Sequence, residues 1–368
     1  MQWMTYAEWV FTPLGDAVPS PAGPAALCGA ERKEGVRVES ITKNRQPVPV
    51  LRAMVARAYG ADQVSDGESW VRELGHGWFN VAYRIRLRDR RDVVLKIAPP
   101  ADVEVMSFER GAMANELTAI ALIREHTSVP VPTVDFADRT RQLCDADYFF
   151  MPYIDADNLG IVKEDLPARE IAAYHEALGA ANRELNAIRG KAFGPLAGPG
   201  EASWRTAFTG IVESVLRDGE RRSVELGWEY DEVRALLGEH AESLDEVVEP
   251  RLVEWDLYDD NVLVKNGSIV SIIDHERAFY GDPLMEGFLN ALVLPAVFSD
   301  PTAFLRGYGR DPLSETELTR RRLYTLHLML VLVVKSAYRE YTDSRRYEWA
   351  RRQLAHTMAL FERPVRPG

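Results

Sequence analysis

Residues 251–274 constrain this chain more than any other stretch. Asn266-Gly267 stands between two runs of alternating apolar and polar residues, the strongest short-range signal for a two-residue hairpin turn. Such a turn fixes a register in which Lys265 faces Ser268 and Asn261 faces Ile272. Asp274 is then the same-face diagonal neighbour of Asn261, within about 7–8 Å. An Asn and an Asp held together at the open end of one hairpin are two oxygen ligands for a hard cation such as Mg²⁺. Asp256, five residues before Asn261, falls in the loop leading into the hairpin, where it can take a proton from a hydroxyl group. A solvated acidic loop is the competing account of Asp256, Asp259 and Asp260. The hairpin argues against it for Asp256, Asn261 and Asp274 taken together.

Two features upstream bear on the same chemistry. Gly75-His76-Gly77 interrupts a region of period two, and Asn80 lies just beyond it. Glycines let a backbone approach phosphate oxygens, although two glycines in a turn are most often only a turn. A dinucleotide fold wants a third glycine and then a helix. Here Asn80 takes the third position, with its tolerance of positive φ, and residues 81–87 alternate like a strand. Lys96 sits among the apolar residues of 93–98. It either runs out along a strand edge or, if buried, needs a counter-charge. Glu116, on the next helix, is the natural partner.

The periodicity predicts an α+β chain. A helix is expected at 49–59, strands at 71–74, 81–87 and 93–98 in an antiparallel meander, and a helix at 113–124. Further strands are expected at 131–136 and 148–154. Helices are expected next at 168–188, 204–215 and 231–248, with the 251–274 island between them and the C-terminal helices. The apolar runs 287–298 and 326–334 are too short to span a bilayer and read as buried helices. Three regions result: an irregular Pro/Ala/Gly-rich extension over 1–45, a strand-rich lobe over 46–154 ending in a linker at 150–154, and a helical lobe over 155–368.

Of the 368 residues 46% are hydrophobic and 27% charged, a globular composition, with a net charge of −12. An acidic chain lacks the basic face that nucleic acid requires. Two cysteines exclude a disulfide framework and point to a reducing, cytoplasmic compartment. No secretory signal or membrane span is read. The seven histidines show no H-E-x-x-H spacing and no G-x-S-x-G is present, which disfavours a metal hydrolase or a serine esterase.

The order of glycine loop, strand lysine, helix glutamate, Asp-x4-Asn loop and Asp after a hairpin resembles the protein-kinase-like fold. Within it, Ile273-Asp274-His275-Glu276 and then Gly281-Asp282-Pro283 resemble the aminoglycoside phosphotransferase family of small-molecule kinases. The resemblance implies a two-lobed α+β fold binding ATP or GTP with Mg²⁺. It implies that Gly75, Gly77 and Asn80 cover the phosphates, and that Lys96, held by Glu116, contacts them. It places adenine against the linker at Met151 and Tyr153. Asp256 becomes the catalytic base, with Asn261 and Asp274 as Mg²⁺ ligands. The family has His-Gly-Asp where this chain has Glu254-Trp255-Asp256, so the support of the catalytic loop must differ. That departure motivates a second reading, a nucleotide-binding pseudokinase or regulatory module.

The acceptor expected from the resemblance is a small-molecule hydroxyl. An aminoglycoside-like or other cationic antibiotic would want acidic walls, for which Asp259, Asp260, Glu276, Asp282 and Glu286 are candidates. A metabolite such as a sugar or amino alcohol fits the family as well. Residues 213–260 hold 16 acids and 5 bases, which concentrates the acidity ahead of the catalytic loop and favours a cationic acceptor.

Overall fold

The computed structural model describes residues 40–67, 69–75, 77, 79–340 and 344–362. Most of the expected N-terminal extension therefore lies outside the described residues. The remainder of it, 40–45, packs on the strand-rich lobe: Arg45 pairs with Glu73 at 2.9 Å, and Asn44 donates to Asp145 at 3.2 Å.

The meander is present. Strands β1 (Val71–Leu74), β2 (Val81–Arg86) and β3 (Asp92–Ile97) pair antiparallel. β4 (Phe136–Asp138) and β5 (Tyr148–Pro152) extend them into one sheet of order β1-β2-β3-β5-β4. The strand expected at 131–136 forms later, at β4. Pro130 and Pro132 deny the earlier stretch ladder donors. The helix Val48–Tyr59 lays Leu51, Met54 and Val55 on the sheet beside Val81, Ile85 and Leu95. Pro47 precedes its first turn, and Gly60 ends it at φ 101°.

A second, larger core belongs to the helical lobe. Helices Ala168–Leu185, Trp204–Arg221, Tyr230–His240 and Glu315–Tyr338 surround it. Ser314 caps the last of these reciprocally with Glu317, and its interior is buried from Leu323 to Val334. The apolar run at 287–298 is not the buried helix expected. It makes a 3-10 turn over Gly287–Leu292 and then irregular chain. Its start is pressed so closely on the Tyr258 ring that a Cβ on Gly287 would lie 2.5 Å away, and Pro295 interrupts its continuation.

Two small sheets carry the remaining strands. β6 (Asp157–Asn158) joins the hairpin of β9 (Val262–Lys265) and β10 (Ser268–Ile272). β7 (Gly194–Pro195), β8 (Arg251–Val253) and β11 (Phe279–Gly281) form the other. Lys265 faces Ser268 as expected, but a bulge between Ile269 and Ser271 shifts the register, so Val262 faces Ile272. Asn261 is thereby matched with Ile273, whose N–H donates to the Asn261 carbonyl at 2.9 Å. The diagonal placement of Asp274 was one residue out of phase, because the extra bulge residue adds a step that a turn-based register omits.

Candidate active site

Lys96 lies on central strand β3, opposite Ala82 and Phe149. Its amine reaches Glu116 at 2.7 Å, on the helix Ala112–His126, and Asp274 at 2.5 Å, just past the hairpin. Glu276 stands 3.8 Å away and accepts from Asn80 Nδ2 at 2.6 Å. The structure thus gathers Asn80, Lys96, Glu116, Asp274 and Glu276, joining the glycine loop to the hairpin end. Burial opposes the charge on Lys96, but Asp274, Glu116 and Glu276 outweigh it and hold the amine above its ordinary value. Burial, with Asp274 beside it, pushes the Glu276 carboxyl up to about 8. Asp274 stays low: burial opposes ionisation, and the Lys96 charge prevails. Asp274 also adopts the left-handed conformation (φ 69°, ψ 52°), which Asp tolerates, and this turns the chain directly after the bulged hairpin.

Glu116, Asp274 and Glu276 offer oxygens within 4.8 Å of one another. One lysine faces three carboxyl groups, of which Glu276 is pushed up to about 8 by burial and its acidic neighbours, and Asn80 Oδ1 is buried without a partner. A hard-oxygen site short of positive charge fits Mg²⁺. In the glycine loop, a Cβ on Gly77 would lie 3.2 Å from the Asn80 carbonyl and 3.3 Å from Lys43 Nζ, so the loop is close-packed there. Lys43 donates to that same carbonyl at 2.8 Å. Gly75 closes strand β1 and leads into the loop. Met151 pairs with Val94 inside the sheet. The Tyr153 N–H donates to the Asp92 carbonyl at 3.0 Å, and Arg84 covers its ring at 3.9 Å. That N–H is therefore not available to adenine.

Asp256 lies in the loop between β8 and β9. Asn261 Nδ2 donates to its carbonyl at 2.8 Å, which ties the two expected site residues together. Arg277 Nε is 3.6 Å from the Asp256 carboxylate and stacks over Phe108 and Trp255. Trp255 takes the glycine position of the family motif and keeps a glycine-like φ of 61°. A non-glycine residue there costs about 1–2 kcal/mol, and rings hold it in place: Phe108 at 5.7 Å and His327 at 5.2 Å. Glu254 takes the histidine position and accepts from or shares a proton with His275 Nδ1 at 2.8 Å, both fully enclosed. His275 directly follows Asp274, so a carboxylate–imidazole pair links the loop that carries Asp256 to the hairpin end. Burial alone would lower the His275 value; Glu254 raises it.

Four of the five acidic acceptor candidates turn inward. Asp259 pairs with Lys163 at 3.0 Å and His175 at 2.9 Å, and is held at about 2 despite its burial. Asp282 accepts from Leu284 N, Tyr324 Oη and Arg320 Nε at 2.7–3.0 Å. Glu286 accepts from the Glu254 and Trp255 N–H groups at 3.0 and 3.1 Å and from Asn182 at 2.9 Å. Burial pushes it up to about 7. Glu276 belongs to the Lys96 cluster. Each satisfies internal donors, so these acids shape the site rather than face an acceptor. Asp260 alone of the five is partly exposed, and it packs so tightly on Gly160 that a Cβ there would meet it. The position of Glu286 as an acceptor for the Glu254 and Trp255 N–H groups, with Asn182 and Asn186 behind it, was not legible from its spacing, nor was Arg277. The sequence signal for Glu286 was only an acid between two apolar residues and a glycine.

Among the described residues, no helix is long and apolar enough to cross a membrane. No curated protein matches the chain by sequence. Solved structures do match it by fold. One is a thermostable mutant of aminoglycoside phosphotransferase APH(4)-Ia in ternary complex with AMP-PNP and hygromycin B, with TM-score 0.58, 20% identity, and cover of 85% of this chain and 98% of that one. A candidate fructosamine-3-kinase from Thermobifida fusca YX-ER1 matches with TM-score 0.59, 19% identity, and cover of 85% and 100%. A choline/ethanolamine kinase family protein from Mesorhizobium loti matches with TM-score 0.58, 19% identity, and cover of 85% and 94%. The model of the phosphotransferase enzyme family matches residues 70–324, from the strand before the glycine loop through the cluster that buries Asp282. The chain therefore belongs to the phosphotransferase enzyme family and is a small-molecule kinase acting on hydroxyl groups.

Proposed function

We propose that this kinase transfers the γ-phosphoryl group of ATP to a hydroxyl of a small metabolite, with Asp256 as the base. The observation that carries this reading is the Asn261 bond to the Asp256 carbonyl, which fixes the base beside the Lys96–Asp274 cluster. The nucleotide-bound APH(4)-Ia complex supports ATP as donor. Asn261 and Asp274 would hold Mg²⁺, with Glu276 next to them. When bound, Mg²⁺ neutralises phosphate oxygens and so lowers the charge repulsion that the attacking hydroxyl meets.

The chain's own residues do the rest. Lys96 presents its ammonium to the phosphates and is oriented by Glu116. The Asp256 carboxylate takes the hydroxyl proton as the acceptor oxygen bonds to the γ-phosphorus, and the bond to the β,γ-bridging oxygen breaks to release ADP. Glu286 and the Glu254–His275 pair hold the loop that carries Asp256.

Of the two acceptor classes that the sequence raised, the arrangement of charge supports a metabolite over a cationic antibiotic. Four of the sixteen acids of 213–260 are matched with arginines at the surface: Glu213 and Glu220 with Arg234, Asp245 with Arg205, and Glu249 with Arg251. Asp256→Asn is expected to cut acceptor-dependent ADP release about 10³-fold while AMP-PNP affinity stays within about twofold. Undiminished turnover in that variant would overturn the assignment of the base.

A further inference from the structure

The match to the phosphotransferase enzyme family begins at residue 70, yet the chain ahead of it is attached to the same lobe. Residues 40–46 are polar except for Ile41, and Thr42, Lys43 and Asn44 are nevertheless buried. Buried polar groups need partners, so such a segment is held at specific points. Arg45 forks onto Glu73 of β1 at 2.9 and 3.2 Å. Asn44 donates to Asp145 at 3.2 Å, and the Gln46 N–H donates to the Tyr83 hydroxyl at 3.3 Å.

Lys43 differs from its neighbours in reaching the glycine loop. Its Nζ donates to the Asn80 carbonyl at 2.8 Å in an enclosed contact. A Cβ on Gly77 would lie 3.3 Å from the same amine, so Lys43 meets the loop at both positions. The approach is from the face of the sheet that Lys96 does not use. Tyr83 shares a core with Val93, Leu95, Ile97 and the helix Val48–Tyr59. Side chains alternate along a strand, so Lys96 leaves β3 on the opposite face. The segment anchored on Tyr83 therefore lies on the helix-covered face, and the Lys96 cluster lies on the other.

Asn80 is where the two faces meet. Its carbonyl takes Lys43, while its Nδ2 donates to Glu276 at 2.6 Å, and Glu276 stands 3.8 Å from Lys96. A hydrogen bond from an ammonium is about twice as strong as one between neutral groups. Lys43 thus fixes the residue that ends the glycine loop, and with it the amide that reaches the Lys96 cluster. A loop built on Gly75 and Gly77 has backbone freedom that would otherwise be lost only when a ligand binds.

We propose that Lys43 is a positioning residue for the nucleotide: from outside the family-matched region, it braces the glycine loop in the conformation that covers the phosphates of ATP. It acts through Asn80 and does not touch the nucleotide. This inference rests on the reading of that loop as the phosphate cover.

The test measures AMP-PNP binding to the full chain with Mg²⁺. Lys43→Met is expected to raise the dissociation constant about tenfold, and Lys43→Arg, which keeps a charged donor, should return it to within about threefold of wild type. Asn44→Ala frees the same segment from Asp145 without touching the loop, and should change the constant by less than about twofold. An unchanged constant in Lys43→Met, or an equal loss in Asn44→Ala, would overturn the brace. The wild-type chain supplies an arm that needs no variant. Coupling between two sites is reciprocal, so AMP-PNP should slow amide hydrogen exchange over 40–46 at least about threefold, although that segment lies on the other face of the sheet. Exchange there that ignores bound AMP-PNP would also overturn the proposal. Failure of the wild-type chain to bind AMP-PNP at all would count instead against the nucleotide reading.

Discussion

Two charge clusters lie near Asp256, and they are balanced differently. On the hairpin side, Lys96 faces Glu116, Asp274 and Glu276. On the side of the long helix, Arg339 pairs with Glu109 and Arg277 lies 3.6 Å from Asp256. Buried charge is tolerated when it is paired, and the hairpin side holds more carboxyl groups than cations. The acid-rich side is therefore the one that an added cation would balance.

Three further substitutions would break or sharpen that contrast. The largest effect is expected from Lys96→Met. Turnover should fall about 10²–10³-fold through loss of a phosphate-facing cation. The acidic groups left without their lysine should cost about 3–5 kcal/mol of stability, part of which Mg²⁺ restores. A Tm that ignores Mg²⁺ in this variant would refute the metal-poor account of the cluster. Next is Glu254→Ala, which removes one member of the paired Glu254–His275 contact beside the acid-rich cluster. It should cost about 3 kcal/mol in urea unfolding, because buried His275 then loses the carboxylate partner of its Nδ1. A loss under about 1 kcal/mol would show that the pair does not brace the loop.

The smallest effect concerns acid. His327 is buried, its Nδ1 lacks a partner, and burial pushes its value down to about 3 from 6.5. A base so depressed contributes stability that is fully present above about pH 6.5 and is lost as pH falls toward 3. The slope is at most about 1.4 kcal/mol per pH unit. His327→Leu should flatten the fall in stability between pH 6.5 and 5 by about one proton, measured by urea midpoints. His275 works in the opposite sense. Its value is raised, so its contribution is present below pH 6.5 and fades as pH rises through the folded value. An unchanged acid limb in His327→Leu would exclude His327 as its source.

Much of this was legible from local pattern, because local pattern sets strands, turns and their chemistry. The alternation over 81–97, the Asn266-Gly267 turn and the lone Lys96 among apolar residues led to the meander, the hairpin and the Lys96–Glu116 pair. What stayed hidden depends on neighbours distant in the chain. No spacing reveals that Glu286 accepts the N–H groups of residues more than 30 positions earlier. Nor does any spacing reveal that Asp259 is paired with Lys163 and His175. An acid count over 213–260 says nothing about which of those acids meet arginines. Glu254 was visible only as a departure from the family motif until it was found in contact with His275.

The bulge between Ile269 and Ser271 has a practical consequence. It lies between the turn and Asp274, so the phase of the metal-side residues is set there and by the Ile273 bond to Asn261, not at the hairpin tip. Residues 265–268 are exposed, and a Cβ on Gly267 would meet nothing within 4 Å. The tip is therefore a point where a fluorophore or a short peptide tag can be inserted without rotating Asp274, which places a reporter at the far end of the hairpin whose open end holds Asn261 and Asp274.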